Sequence, residues 1–481
     1  MELRNLEPKA VWNHFADLNA VPRPSKKEER VIAFIQEFGK KLGLPTYTDE
    51  VGNVIIKKPA TKGMEERAVI VLQSHLDMVH QKNADTVFDF DSEGIKMYVD
   101  GDWVKAQGTT LGADNGMGVA TIMALLSSDN IPHPALEALF TIDEETGMTG
   151  ALNLKGGLLN AKYMLNLDTE EDTELTIGCA GGIDVTVGGK YSSVEVPAGS
   201  VFFKISIKGL TGGHSGMDIH LGRGNANKLM NRLLLNAHRT LGILVSEIDG
   251  GSLRNAIPRE SFAIVAVSAD KVESFKNLLN EYHATIKAEY NTTDPNITLL
   301  YEETAAAKTV ADSNFIKSLL SAVYACPNGI YRMSPDIKDL VQTSNNLARV
   351  LLKDGEYKVL CLTRSSVDSE KMDEAEAIRS LFELIGAVVS FGGSYPGWTP
   401  KPTSRLVEIM SEIYVGKFGA KPHVNACHAG LECGILGTNY PDMEMISFGP
   451  NIRGAHSPDE MVQISSVQKY WEFLLETLVR L

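Results

Sequence analysis

Three short apolar runs along the chain end at His, Asp or Glu residues, and a fourth leads into a loop that contains a histidine. Runs of this length predict β-strands buried on both faces, as in the middle of an α/β sheet. Ligand sites in such sheets form beyond the carboxyl ends of the strands, and these ends lie along one edge. Polar residues distant in sequence are therefore expected to meet there. The runs are 68–79, which contains His75 and Asp77; 135–142, followed by the acids 143–145; 163–167, followed by Asp168; and 443–450, followed by a loop with His456.

The first run places two polar side chains on one side of its strand. His75 and Asp77 are two positions apart, and residues i and i+2 of a strand face the same way. Both side chains would leave the end of the strand together. On this stretch alone, a core histidine that happens to end a strand fits equally well.

A glycine-rich stretch, residues 108–118, precedes an apolar helical run at 119–126. Such a loop before a helix is common in phosphate sites. This one lacks both the Lys-Ser/Thr pair of a P-loop and the G-x-G-x-x-G order of a dinucleotide site. The glycines instead permit close approach of the backbone around one carboxylate, Asp114. The pattern suits a metal ligand better than a phosphate.

The three acids at 143–145, taken alone, would indicate a solvated surface. Their position at a strand end, together with Asp168 and two imidazoles, favours a metal site. Mixed imidazole and carboxylate ligands suit zinc, manganese or cobalt, whereas calcium takes oxygen ligands only. The acids are too many for one zinc ion and about enough for two ions bridged by a carboxylate. Without a cation they would repel one another and take up protons.

The first sixty residues predict scaffold elements. Apolar residues at helical spacing predict a helix over 7–21 and a second helix over 25–42. Ser25 and Glu28 have the spacing of a capping box at the start of the second helix. Residues 47–58, with a turn at 51–54, predict a β-hairpin.

The ligand pattern stops between about 189 and 395, where strands alternate with amphipathic helices. The two halves of this region resemble a loose duplication, although no convincing residue-level repeat is found. We expect an inserted α+β lid domain, joined to the rest of the chain by a glycine-rich segment at each end. The predicted helices are 225–237, 271–290, 312–324 and 373–384, and the predicted strands are 201–207, 261–267, 348–352 and 357–363.

Composition excludes several classes of protein. A chain of 481 residues is too long for one core and predicts two or three domains. The net charge is −15 without a basic block, so nucleic acid is not an expected partner. No apolar run is long enough to span a bilayer, and the first residues are not a signal peptide. Five cysteines without a Cys-x-x-Cys pair argue against a disulfide framework and favour a reducing cytoplasm.

Five sequence blocks, in this order, resemble the co-catalytic di-zinc amidohydrolases, a metallopeptidase family of aminoacylases, desuccinylases and carnosinase-like dipeptidases. The resemblance covers the whole chain and is greatest to the bacterial dipeptidases of that family, with further matches at 21–25, 396–398 and 428–433. The blocks are Ser74-His75-Leu-Asp77, Gly112-Ala-Asp114-Asn-Gly116, Asp143-Glu144-Glu145-Thr-Gly147, Asn166-Leu-Asp168 and Gly454-Ala-His456-Ser-Pro458.

The residues and the resemblance together predict an α/β fold with two parts. One is a metallopeptidase catalytic domain with a mixed central sheet flanked by helices, formed by residues 1–188 and 396–481. The other is the inserted α+β lid domain, residues 189–395, with two similar halves.

The resemblance also implies a role for each metal-site residue. Asp77 would hold His75 and fix its tautomer, and Glu144 would be the general base. The peptide bond Asp114–Asn115 is expected to be cis. Two Zn²⁺ per chain are expected, with Mn²⁺ or Co²⁺ as possible substitutes. Their ligands would be Asp114 as the bridge, His75 and Asp168 at one ion, and Glu145 and His456 at the other.

Three polar residues of the insert would each be interpreted, from their local sequence alone, as ordinary loop residues. By resemblance, His214 would polarise the scissile carbonyl, and Asn255 and Arg364 would hold the substrate's C-terminal carboxylate, for which a guanidinium is well suited. Gly430 matches a position that lines the substrate pocket. Because the metal and substrate residues lie in different predicted domains, closure would be needed to assemble the full set.

The expected activity is hydrolysis of unblocked dipeptides, including Xaa-His dipeptides such as carnosine, by a metal-bridging water that Glu144 activates. An N-acyl amino-acid deacylase or an aminotripeptidase with the same metal site is the alternative, and a non-catalytic scaffold protein is a third reading. A cytoplasmic monomer or homodimer, with no nucleic-acid or membrane partner, is expected.

Overall fold

The computed structural model describes residues 2–481, which form two compact units. The first unit comprises residues 2–178, Trp398–Ala426 and Leu431–Leu481. The second comprises Cys179–Gly397 and Cys427–Gly430. No helix in the described range is long and apolar enough to cross a membrane.

Twelve α-helices lie in the described part of the chain. They are α1 Lys9–Asn19, α2 Glu29–Lys41, α3 Ala113–Ser127, α4 Glu144–Gly147, α5 Thr149–Asn153, α6 Ala226–Leu241, α7 Val272–Glu289, α8 Ser313–Ala325, α9 Asp368–Glu383, α10 Arg405–Phe418, α11 Glu432–Asn439 and α12 Ile464–Arg480.

The strands in the first 179 residues are β1 Thr46–Thr48, β2 Val54–Lys58, β3 Ile70–His75, β4 Met97–Asp100, β5 Trp103–Ala106, β6 Leu136–Thr141, β7 Tyr163–Asn166 and β8 Glu174–Cys179. The next are β9 Gly181–Lys190, β10 Ser193–Glu195, β11 Ser200–Lys208, β12 Gly213–His214, β13 Leu244–Gly251, β14 Ala256–Ile257, β15 Ser261–Ser268, β16 Thr298–Glu303, β17 Thr309–Ala311, β18 Gly329–Met333, β19 Val341–Lys353, β20 Glu356–Ser365 and β21 Val388–Tyr395. The last are β22 His423–Cys427, β23 Glu444–Ser447, β24 Ile452–Arg453 and β25 Met461–Gln463.

The first unit is built on an eight-stranded mixed sheet in the order β1-β2-β6-β3-β7-β23-β8-β22. Its four central neighbours, β6, β3, β7 and β23, run parallel to one another. These are the four strands that the apolar runs predict, and every residue of β3, β6 and β7 is buried. The mixed sheet of the fold prediction is confirmed, and three neighbouring strands, β3, β6 and β7, end at or next to candidate ligands.

Helix α3 connects the glycine-rich loop to the core of this unit. Almost all of its residues are buried, since apolar side chains occur around its whole circumference. Trp12 and Phe15 of α1 pack with Met117 and Ala120 of α3 in one apolar cluster. This packing fixes the start of α3, and with it Asp114.

The predicted capping box at Ser25 is wrong. Helix α2 begins at Glu29, and the backbone N–H of Lys26 donates to the Glu28 carboxylate at 2.8 Å. The hydroxyl of Ser25 donates instead to Oδ2 of Asp77 at 2.8 Å. The Ser25 hydroxyl acts here as a donor to a buried carboxylate, and such a charge-assisted hydrogen bond is stronger than the neutral hydrogen bond of a helix cap.

The second unit contains a nine-stranded sheet made of two similar halves. In the first half the chain runs β11-α6-β13-β15-α7-β16, and the strands lie in the order β16-β11-β15-β13. In the second half β9 is followed, after the first half, by α8-β19-β20-α9-β21, and the strands lie in the order β21-β9-β20-β19. Both halves are ferredoxin-like βαββαβ units with the same strand order.

The two halves join where β13 pairs antiparallel with β19. Each half therefore completes the sheet of the other, and their helices pack into one apolar core. The predicted α+β region with two similar halves is confirmed. Strand β9, which begins at Gly181, is also part of this sheet.

Candidate metal centre and substrate residues

The candidate ligands of the first unit converge at the carboxyl ends of its parallel strands. His75 ends β3, Glu144 and Glu145 follow β6, and Asp168 follows β7. Two more come from loops at the same edge: Asp114 in the first turn of α3, and His456 after β24. Convergence follows from the parallel sheet, which brings successive strand ends to one edge.

His75 lies between two carboxylates. Its Nε2 is 3.2 Å from Oδ1 of Asp114 and 3.5 Å from Oδ1 of Asp168. The imidazole and the side chain of Asp168 are both buried. Nδ2 of Asn115 donates to the same Oδ1 of Asp168 and to the carbonyl of Leu167, which holds that acid in place. The Asp114–Asn115 peptide bond is cis, as expected.

His456 meets the other side of Asp114. Its Nε2 is 3.3 Å from Oδ2 of Asp114 and 3.0 Å from Oε2 of Glu145. The second oxygen of Glu145, Oε1, is buried and has no hydrogen-bond partner in the described chain. The two oxygens of Asp114 thus face two different imidazoles, which is the arrangement that a bridging carboxylate requires.

Asp77 lies behind His75. Its Oδ1 is 3.3 Å from Nδ1 of the imidazole, and the side chain is fully buried. The backbone N–H groups of Glu144 and Glu145 donate to its two oxygens at 3.1 and 3.3 Å. Burial would raise the pKa of Asp77, but the hydrogen bonds from His75 and Ser25 lower it, so this carboxylate stays ionised.

Glu144 has a different environment from the carboxylates around it. Its carboxyl makes no short ion pair in the described chain, and burial raises its pKa well above the usual range. The negative charges of Asp168 and Glu145 act in the same direction. A desolvated carboxyl with raised proton affinity is suited to accept and release a proton.

The electrostatics of this cluster are those of a cation site. Burial raises the pKa of Asp168, and burial with the nearby Asp114 raises that of Glu145. Hydrogen bonds to Asp114 and Glu145 raise the pKa of His456 to about 11. Without a cation, protons bound within the cluster would have to offset part of its negative charge. Among the described residues, His75, Asp114 and Glu145 bring ligand atoms within 4.8 Å of one another.

The sequence patterns did not identify Glu460. Its carboxylate accepts four consecutive backbone N–H groups, those of residues 111–114, at 2.7 to 3.2 Å. Arg23, fully buried, donates to the carbonyl of Gly112 from the other side at 2.6 Å. The two residues fix the glycine-rich loop that carries Asp114. The only sequence sign was Glu460 being four positions after His456.

A second unpredicted group lies beneath the strand ends. Oε2 of buried Glu432 accepts from Nε2 of Gln73 and from the hydroxyl of Thr141, both at 2.6 Å. Oε1 of Gln73 accepts in turn from Asn166. This chain links the last residues of β6 and β7 to Gln73, two residues before the end of β3, and it sets the spacing of the loops that carry the ligands.

The four predicted substrate residues all lie in the second unit, close to one another. Strands β12 and β14 pair His214 with Ala256, which places Asn255 beside His214. The carbonyl of Asn255 accepts from the N–H of Ser215 at 2.8 Å. Nη2 of Arg364 is 3.5 Å from Nε2 of His214.

Gly430 follows a histidine that packs onto the same group. Nε2 of buried His428 lies 2.7 Å from the hydroxyl of Ser344, which is paired in register with Arg364. Burial lowers the pKa of His428 to about 3, and the positive charge of Arg364 acts in the same direction. His428 is therefore a neutral hydrogen-bonding group here.

Comparison with known proteins agrees with these observations. The sequence model of Peptidase family M20/M25/M40 matches residues 71–480. The chain is 45% identical over 477 residues to the Cytosol non-specific dipeptidase of Escherichia coli (strain K12), covering 99% of this chain and 98% of that relative.

Two solved structures are also similar. The crystal structure of aminoacylhistidine dipeptidase from Vibrio alginolyticus matches with a TM-score of 0.92 and 43% identity, over 100% of this chain and 98% of that chain. The aminopeptidase PepT from Bacillus cereus matches with a TM-score of 0.57 and 16% identity, over 98% of both chains, and shares the fold alone.

Proposed function

Because the chain belongs to peptidase family M20/M25/M40, we propose that it is a metal-dependent dipeptidase that hydrolyses unblocked dipeptides, including Xaa-His dipeptides. The full-length relatives from E. coli and V. alginolyticus are both named dipeptidases. The E. coli relative is named as a cytosol enzyme, and we infer a cytoplasmic location for this chain as well.

The observation that carries the proposal is the convergence of two imidazoles and two further carboxylates around Asp114. One oxygen of Asp114 faces His75 and the other faces His456, at 3.2 and 3.3 Å. We propose two Zn²⁺ ions here, with Mn²⁺ or Co²⁺ as substitutes. The proposed ligands are Asp114 as the bridge, His75 and Asp168 for one ion, and Glu145 and His456 for the other.

The donor set fits such a pair of ions. The buried Oε1 of Glu145 has no hydrogen-bond partner in the described chain, so it is available as a metal ligand. The imidazoles and carboxylates are the ligand types that zinc prefers. When bound, two divalent ions supply Lewis-acid activation of water and of the peptide carbonyl.

Glu144 is the proposed general base. Its carboxylate takes the proton from the attacking water and later gives it to the nitrogen of the leaving amine. Desolvation, which raises its affinity for a proton, makes it suited to hold that proton between the two steps. Asp77 holds the Glu144–Glu145 backbone through two N–H groups and orients His75, so it fixes both base and ligand.

The proposed substrate residues act on the other parts of the dipeptide. His214 donates a hydrogen bond to the carbonyl oxygen as negative charge develops on it. Arg364 and Asn255 hold the C-terminal carboxylate, and Gly430 leaves room for the substrate beside His428. We propose that residues 189–395, which carry the first three of these, form the lid domain over the substrate.

Replacing the base tests the mechanism. Glu144→Gln keeps the shape of the side chain but removes its ability to take a proton. We expect kcat to fall by about 10²- to 10⁴-fold, with the metal content, measured by elemental analysis, unchanged. The matched control is Glu66→Gln, an exposed glutamate, which should retain wild-type turnover. Near-normal turnover of the Glu144 variant would exclude this residue as the base.

A substrate panel tests the specificity. Free dipeptides should be cleaved, whereas N-acylated dipeptides, dipeptide amides and tripeptides should be poor substrates. Preferred cleavage of an N-acylated amino acid would identify a deacylase, and preferred cleavage of tripeptides an aminotripeptidase.

A further inference from the structure

Arg364 is a buried guanidinium without a carboxylate partner. Only 4% of the residue is exposed, and no carboxylate oxygen in the described chain lies within 4.0 Å of it. None of its side-chain contacts is to an anion: they are the hydroxyl of Tyr395 at 2.9 Å, the hydroxyl of Ser215 at 3.4 Å and the imidazole of His214 at 3.5 Å. A buried charge in this situation is costly unless an anion joins it.

The neighbouring arginine shows the opposite arrangement. Nε of Arg254 lies 3.1 Å from Oδ2 of Asp184, and its Nη1 donates to the carbonyls of Val185 and Cys361. Asp184 is therefore engaged by Arg254. Its charge reaches Arg364 only at longer range. Arg254 is the neutralised, structural member of the pair, and Arg364 keeps a positive charge for a ligand.

Tyr395 places a second donor next to this charge. Its hydroxyl oxygen accepts from Nη1 of Arg364, and its own proton has no acceptor among residues 2–481. Burial raises the pKa of Tyr395, so the hydroxyl keeps that proton as a donor. An arginine and a tyrosine thus present unused N–H and O–H donors side by side.

The position of Tyr395 is fixed by packing. A Cβ added at Gly182 would lie 2.7 Å from Cε1 of the ring and 2.8 Å from the hydroxyl, so only a glycine leaves room for the ring there. The carbonyl of Tyr395 accepts from Nζ of buried Lys371 at 2.6 Å, and Lys371 also pairs with Asp368. A hydroxyl held in this way loses little entropy when a ligand binds.

We infer that Tyr395 is a substrate-binding residue, whose O–H donates to the C-terminal carboxylate of the dipeptide while Arg364 binds the same group. This inference rests on the proposed dipeptidase function. It adds a phenolic hydroxyl to Arg364 and Asn255 as the groups that select a free carboxylate, with the Ser215 hydroxyl contacting Nε of the guanidinium.

The test is Tyr395→Phe, which keeps the ring against Gly182 and removes only the hydroxyl. A hydrogen bond to a charged group contributes enough to predict a rise in KM of about 10-fold or more for a free dipeptide. The kcat at saturation should stay within about twofold, since the chemistry is not at this residue. Wild type and variant are compared on a free dipeptide and on its C-terminal amide, and the rise should be absent for the amide.

Tyr282→Phe is the matched control. Its buried hydroxyl donates to the carbonyl of Leu229 at 2.8 Å in the same unit, so this variant also loses one buried hydrogen bond. Its KM should equal that of wild type. An unchanged KM in Tyr395→Phe, or an equal rise for the amide, would overturn the inference.

A double variant separates direct contact from support of Arg364. In an Arg364→Ala background, Tyr395→Phe should raise KM for the free dipeptide further, because the hydroxyl contacts the substrate itself. No further rise would overturn the direct contact. Failure of the wild-type enzyme to cleave free dipeptides would instead count against the proposed function.

Discussion

At the scale of single residues, similar carboxylates differ in what surrounds them. Glu145 leaves a buried oxygen without a partner, which suits a metal ligand. Glu460 has its two oxygens filled by four backbone N–H groups at the start of α3. Although burial raises the pKa of Glu460 to about 7, these hydrogen bonds act in the opposite direction. Glu460 thus fixes the backbone of residues 111–114, whereas Glu145 is a proposed metal ligand.

Replacing Glu460 should therefore weaken metal binding at a distance. Glu460→Ala leaves up to four buried N–H groups without an acceptor, each costing about 1–3 kcal/mol if unpaired. We expect weaker zinc affinity, measured by competition with a chelator, and a lower urea midpoint. Glu460→Gln keeps one acceptor oxygen and should show a smaller effect on both. Wild-type zinc affinity in the Ala variant would show that the loop is positioned by other contacts.

At the scale of elements, the site depends on how closely α3 approaches the sheet. A Cβ at Gly118 of this helix would lie 2.7 Å from the carbonyl of Leu167 and would also overlap Oγ of Ser74. The strand end before His75 and the loop before Asp168 thus pack directly on the helix backbone. Glycine is required here for close approach, not for a special backbone angle.

Gly118→Ala should disturb both flanking loops. Overpacking of this kind costs about 1–3 kcal/mol, so we expect a lower thermal midpoint and reduced kcat/KM. The control is Gly416→Ala in α10, another helical glycine, whose Cβ would meet no atom within 4 Å. There, alanine should raise stability by up to about 1 kcal/mol through helix propensity, with activity unchanged. Equal effects of the two substitutions would contradict the packing argument.

The elements themselves were predicted best where apolar residues fill both faces. Strands β3, β6, β7 and β23 followed directly from their apolar runs. Strand β19 was predicted over 348–352 but begins at Val341, because its first part is polar yet buried. There, side chains such as Asn345 satisfy their hydrogen bonds inside the protein. Polarity alone could not reveal such a strand.

At the scale of the whole molecule, stability is expected to depend on pH through a core acid of the second unit. Glu374 of α9 is fully buried, and neither of its oxygens has a hydrogen-bond partner in the described chain. Burial, with a smaller effect of Cys361, raises its pKa to about 8. The folded chain then holds a proton that the unfolded chain releases near pH 4.5. The contribution is complete below that pH and is lost as the pH rises towards 8.

Glu374→Gln removes this titration while keeping the shape of the side chain. The urea midpoint of wild type should fall relative to that of the variant as the pH rises from 5 to 8, because only wild type must release a buried proton. The limiting slope is about 1.4 kcal/mol per pH unit. The measurement is urea denaturation of both proteins at several pH values. Parallel curves would contradict the assignment.

The sequence by itself determined the catalytic sheet and the proposed ligands. An apolar strand that ends in His or Asp is a local pattern, and a parallel sheet brings such ends together by its geometry. The duplicated insert was also visible as alternating strands and helices. The strand order then showed that both halves share one topology without a residue-level repeat, because an apolar core accepts many different side chains in the same topology.

Apart from Asp77, the groups that support the site were decided by the tertiary structure alone. Glu460 binds backbone groups up to 349 positions away, and Glu432 contacts Gln73 across 359 positions. Tyr395 acquires its place beside Arg364 from the pairing of β9 with both β20 and β21. Hydrogen bonds between distant residues leave no periodicity in the sequence, since they depend on where the folded backbone places each donor and acceptor. For that reason the sequence revealed the proposed ligands and Asp77, and only the fold revealed the other residues that hold them.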